Sequence, residues 1–139
     1  MLKIIIGIIV AVCFCSVQAI AKTQVEEAVR LSTLTLSAFA CEHLANTEDD
    51  RHRLLDIGLK AGREFLESVQ KLSSDERKKT DEGIAIMWRF VGGPTKDFIL
   101  GQIFDKEGRI VEKVFDPDKE KMKRNKEELY SQMNCMIID

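Results

Sequence analysis

The stretch TQVEEAVRLSTLTLSAFACEHL, residues 23–44, decides the fold class. It holds no glycine or proline, and Val25, Ala28, Val29, Ser32, Leu36, Phe39, Ala40 and His43 recur at helical spacing. A second row, Leu31, Leu34, Ala38 and Cys41, widens the apolar face beyond the stripe of a surface helix. The pattern predicts a central helix buried on more than one side.

Outward from this helix, the polar run Asn46-Thr47-Glu48-Asp49-Asp50 supplies cap residues. Leu54, Leu55, Gly58, Leu59, Gly62, Phe65, Leu66 and Val69 then carry a helical repeat to about Leu72. Gly58-x-x-x-Gly62, with Ala61 beside it, reads as a close helix crossing, because Arg51, Arg53, Lys60 and Arg63 exclude a membrane span. Ser73 and Glu76 have capping-box spacing, and the helix they open is expected to continue through Ile84, Met87, Trp88 and Val91 until Gly92-Gly93-Pro94 ends it.

Thr95 caps the next segment, where Ile99, Leu100, Ile103, Phe104, Ile110, Val111, Val114 and Phe115 mark one helical face. A hairpin turning at Asp105-Lys106-Glu107-Gly108 competes with it. Helix is preferred, since the 3.6-residue period holds through that turn while strict alternation fails on both sides. Gly108 then costs about 1 kcal/mol relative to alanine. Asp116 and Pro117 form an N-cap and first-turn proline for a charged fifth helix to about Met133, with a thin stripe of Met122, Leu129 and Met133 and Tyr130 alongside. The expected fold is all-α, a compact bundle of about five helices in one domain, residues 22–139.

Residues 1–21 have another character. Met1-Leu2-Lys3 precedes an apolar run from Ile4 to Cys15, followed by overlapping cleavage patterns at Val17-Gln18-Ala19 and Ala19-Ile20-Ala21. This is the form of a cleaved signal peptide, with maturation at Ile20 or Lys22, and the expected location is the periplasm or the secreted fraction. The run is short for a bilayer crossing, so no membrane span is expected after cleavage. Val12 before Cys13 and Phe14 before Cys15 argue against a lipid anchor. Cleavage leaves two cysteines, Cys41 and Cys135, a distant pair without C-x-x-C spacing. In an oxidising compartment such a pair is expected as a structural disulfide, one that stabilises by about 4–5 kcal/mol through the loop it closes.

The chain carries 21 basic and 23 acidic residues, so no excess of positive charge is available for nucleic acid. It has no G-x-S-x-G elbow, Walker loop or GxGxxG, and neither a catalytic residue nor a cofactor is expected. His43 and His52 flank the first interhelical turn and, with Asp49 or Asp50, offer ligand types that zinc accepts. HExxH is absent, and non-ligand histidines are the preferred reading, with no metal. Glu64 and Glu67, like Glu127 and Glu128, interleave with basic residues as on a solvated face.

The candidate partner-binding loop comprises Trp88, Gly92, Gly93, Pro94, Thr95 and Lys96, the one tryptophan beside a turn and a helix start. Backbone N–H groups there, with Lys96, also suit an anion, although ordinary turn chemistry explains the same residues. The expected role is protein binding, by an inhibitor or immunity-type protein directed against a cell-wall-active enzyme or toxin. An envelope-stress or small-ligand and lipid-binding protein is the alternative, and an enzyme with a spatially assembled site the third reading.

Overall fold

Helix α1 covers residues 24–44, the segment that the apolar pattern marks as central, and it meets the four other helices at Gly58, Gly83, Phe104 and Lys126. In this computed structural model residues 24–114 and 119–138 are described, and their regular structure is helical throughout, with no strand. The leader expected over residues 1–21 and the Asp116-Pro117 cap lie outside the described residues. After α1 come α2 (Glu48–Lys71), α3 (Ser74–Gly83), a 3₁₀ turn (Ile86–Phe90), α4 (Lys96–Lys113), α5 (Lys119–Gln132) and a terminal 3₁₀ turn (Cys135–Ile137). The all-α bundle of five helices is therefore the observed fold.

Small residues let the helices approach. A Cβ on Gly58 would stand 2.5 Å from the Phe39 ring of α1. One on Gly62 would meet Leu100 of α4 at 2.3 Å and Thr35 of α1 at 3.2 Å, so α2 is wedged between the two. The Gly58-x-x-x-Gly62 pattern is thus a crossing inside the core. Ser32, Thr35 and Thr80 are buried, and each hydroxyl donates to a carbonyl one turn earlier in its own helix, which removes the cost of an unpaired group.

The apolar interior has two parts. The larger gathers Ala28, Leu31, Phe39, Ala61, Phe65, Leu72, Trp88, Leu100 and Ile103. The smaller holds Cys41, Leu44, Ala45, Leu54 and Cys135, with Val111, Leu129, Tyr130 and Ile138 packed on it. The Cys41–Cys135 disulfide forms, across a sequence separation of 94.

Caps sit where the sequence places them. The Thr47 hydroxyl accepts from the Asp50 N–H, Ser73 and Glu76 complete a reciprocal capping box, and Thr95 accepts from the Phe98 N–H. Two expectations need correction. The helix opened by Ser73 stops at Gly83 rather than running to Val91, and the chain passes through extended Ile84 and Ala85 into the 3₁₀ turn. Only Thr80 is buried in α3, so this charged helix has no apolar face to prolong, and Gly83 abuts Val29 of α1. Re-aiming the chain there brings Trp88 onto Phe65, a tertiary gain that outweighs local helical preference. On α4, Ile110 and Val114 are exposed, and the buried row is Leu100, Ile103, Glu107 and Gly108. The helix does continue through Gly108, as the 3.6-residue period requires.

Candidate functional site

The loop joining the 3₁₀ turn to α4 is tightly committed to structure. Trp88 is only 7% exposed, with its ring centroid 4.6 Å from that of Phe65, so it belongs to the core and presents nothing to a partner. Gly92, Gly93, Pro94 and Thr95 are exposed. Gly93 lies against the Phe98 ring, and the Thr95 hydroxyl is occupied by its cap bond. Lys96 Nζ pairs with Glu67 at 2.6 Å, and Asp97 with Arg63 at 2.8 Å, tying the start of α4 to α2. These partners hold the Asp97 and Glu67 carboxyls below their usual range, first by hydrogen bond and then by charge. The α4 N-terminus therefore already has its own anion in Asp97, and Lys96 is engaged elsewhere.

What the 3₁₀ turn does expose is Ile86, 66% accessible, and Phe90, 70% accessible. Both fall off the Ile84-Met87-Trp88-Val91 row, which was the available sign that they point outward. The Trp88 anchor between them holds the turn fixed.

The two histidines are not brought together. His43 stacks on Phe104 with ring centroids 4.3 Å apart; its Nε2 lies 3.1 Å from the Phe104 carbonyl and its Nδ1 3.3 Å from the Glu42 carboxylate. Its ring fills the space left by Gly108, where a Cβ would come within 2.8 Å of it. His52 is exposed beside Glu48 on α2. Among the described residues no group of three or more His, Cys, Asp or Glu side chains is placed to hold a metal ion. Glu107 is buried in the inner row of α4, and desolvation pushes its carboxyl above the usual range.

A second feature lies at the C-terminal end. Cys135 is fully buried by its bond to Cys41, while the next two residues, Met136 at 78% and Ile137 at 74%, are the most exposed large apolar side chains among the described residues. The backbone on either side is clamped. Arg53 donates to the Ile138 carbonyl at 2.7 Å and the Cys135 carbonyl at 3.3 Å, and Asn134 turns the chain in the left-handed region with φ 55°. Asparagine suits that conformation better than most residues. The strap borders a groove of about 530 Å³ against α1, walled by Arg30, Thr33, Leu34 and Ser37 opposite Met133 and Ile137. Sequence reasoning identified the disulfide but passed over the two apolar residues behind it.

Compared with known families, characterised proteins and solved structures, the chain has no match. No described helix is long and apolar enough to cross a membrane.

Proposed function

We propose that this chain is an exported protein-binding protein of inhibitor or immunity type, which engages a cell-wall-active enzyme or toxin through its C-terminal strap. The observation that carries this reading is the rigid presentation of Met136 and Ile137 by a disulfide on one side and the Arg53 clamp around them. Apolar side chains held outward by a fixed backbone lose little freedom on docking, and methionine adapts to the shape it meets. The adjoining groove, with polar and apolar walls, extends the contact along α1. The leader pattern and the disulfide both suit an oxidising compartment.

The test is affinity capture from a periplasmic extract under oxidising conditions, comparing the mature protein with a Met136→Asp/Ile137→Asp variant. The wild type is expected to recover one stoichiometric partner, and the variant at least tenfold less, with its helicity and disulfide intact. Equal recovery by both proteins removes the strap from the reading. Failure of the wild type to retain any stoichiometric partner overturns the binding role.

A further inference from the structure

Another set of exposed apolar side chains, sharing no residue with the strap, lies where the loop after the 3₁₀ turn runs back along α4. Gly93 lies against Phe98, Gln102 Nε2 donates to the Gly92 carbonyl at 2.8 Å, and Lys106 Nζ donates to the Phe90 carbonyl at 3.2 Å. Phe98, Gln102 and Lys106 are spaced four residues apart, and the same row continues to Ile110 and Val114. Phe90 is thereby brought to the side of α4 on which Ile110 and Val114 stand. All three are exposed, as is Ile86 at the start of the 3₁₀ turn.

On α4 the charged side chains nearest Ile110 on its exposed side are basic. Arg89 donates to the Asp81 backbone carbonyl and Lys106 to that of Phe90, so both bond to neutral oxygens. Lys113 has no ion-pair partner among the described residues, and no carboxylate there pairs with Arg89 or Lys106. At about 100° per residue, Lys106 and Lys113 project about 40° and 60° from Ile110, whereas Asp105 and Glu112 lie about 140° and 160° round the helix. Asp105 is moreover held by Arg109 at 2.9 Å.

We propose that this face docks on an anionic lipid surface. Ile86, Phe90, Ile110 and Val114 enter the headgroup boundary, while Arg89, Lys106 and Lys113 lie against the lipid phosphates. A helix ridge and a tight turn are convex, and a fluid lipid plane moulds to them; a protein partner would need a matching concavity rimmed with carboxylates. The whole chain carries a net charge of −2, so net charge alone does not draw it to an anionic surface and the attraction must come from a local basic face such as this one.

The proposal is tested by sedimenting the mature, disulfide-bonded protein with vesicles of phosphatidylcholine and phosphatidylglycerol in equal parts, and with phosphatidylcholine vesicles alone. Binding is expected only to the anionic vesicles and is expected to weaken as salt is raised. Lys106→Glu/Lys113→Glu is expected to reduce binding at least about tenfold. Phe90→Ser is expected to weaken it while leaving the salt dependence in place, with circular dichroism confirming that both variants are folded. Equal binding to neutral vesicles, no binding to anionic ones, or undiminished binding by the charge-reversed variant overturns the proposal. So does equally tight binding of soluble polyglutamate, which would identify the occupant as an acidic protein surface.

Discussion

The two parts of the interior are held by different means. Around Trp88, nine buried residues from four segments interlock, with Gly58 and Gly62 admitting Phe39 and Leu100 at close range. Around Cys135, five buried residues suffice, two of them the disulfide itself. α5 explains the contrast: it is rich in lysine and glutamate, and Leu129 and Tyr130 are its apolar contributions to that cluster. A helix with so little apolar area gains little from burial, and a covalent tie substitutes for packing where the stripe is thin. The same division recurs on the surface. The strap near the small cluster is fixed by a bond and an arginine clamp, whereas the turn carrying Ile86 and Phe90 is fixed by a buried indole and by hydrogen bonds from Arg89 to Asp81 and from Lys106 to Phe90.

The contrast is broken most severely by removing the bond. Cys41→Ala/Cys135→Ala is expected to lower unfolding stability by about 4–5 kcal/mol, read by denaturant titration of the oxidised wild type against the variant. Amide exchange should then show the loss of protection concentrated in α5 and the strap; a loss spread evenly through α2 and α4 would merge the two regions into one. Next in size, Trp88→Ala is expected to cost about 3–5 kcal/mol and to loosen the 3₁₀ turn while the disulfide persists. If the variant retains full stability, the indole is not the anchor described above.

The smallest effect concerns Glu107, buried in the inner row of α4 between Ile103 and Val111. Its folded-state proton affinity is raised by desolvation, so the native state binds this proton more tightly than the unfolded chain does. The resulting contribution is fully present below the ordinary carboxylate range and is lost as pH rises through the elevated folded value. Glu107→Gln is therefore expected to stabilise at neutral pH by on the order of 1 kcal/mol and to flatten that decline, measured by thermal melts across pH. An unchanged pH profile would show that the carboxyl reaches water when ionised.

Periodicity and cap chemistry are local properties, and they were legible. Residues 23–44 announced the central helix, Thr47, Ser73 and Thr95 announced three helix starts, and a lone distant cysteine pair announced the bond. The break at Gly83 was not legible, because it depends on where Phe65 and Val29 lie in space. Gly108 looked like a flaw in α4 and is instead the gap that admits His43, a relation between residues 65 positions apart in the chain. The surfaces were hardest to see. Trp88 looked like a docking aromatic because it stands beside a turn, yet the turn exists to bury it. Met136 and Ile137 are ordinary apolar residues until the burial of Cys135 forces them outward.

The bond between Cys41 and Cys135 also closes a covalent ring that holds α2, α3, α4 and α5, leaving outside it, among the described residues, only α1 before Cys41 and the last few residues. The exposed Gly92-Gly93 turn lies within that ring. A single cut there leaves both halves joined, and the nick appears as two fragments only after reduction.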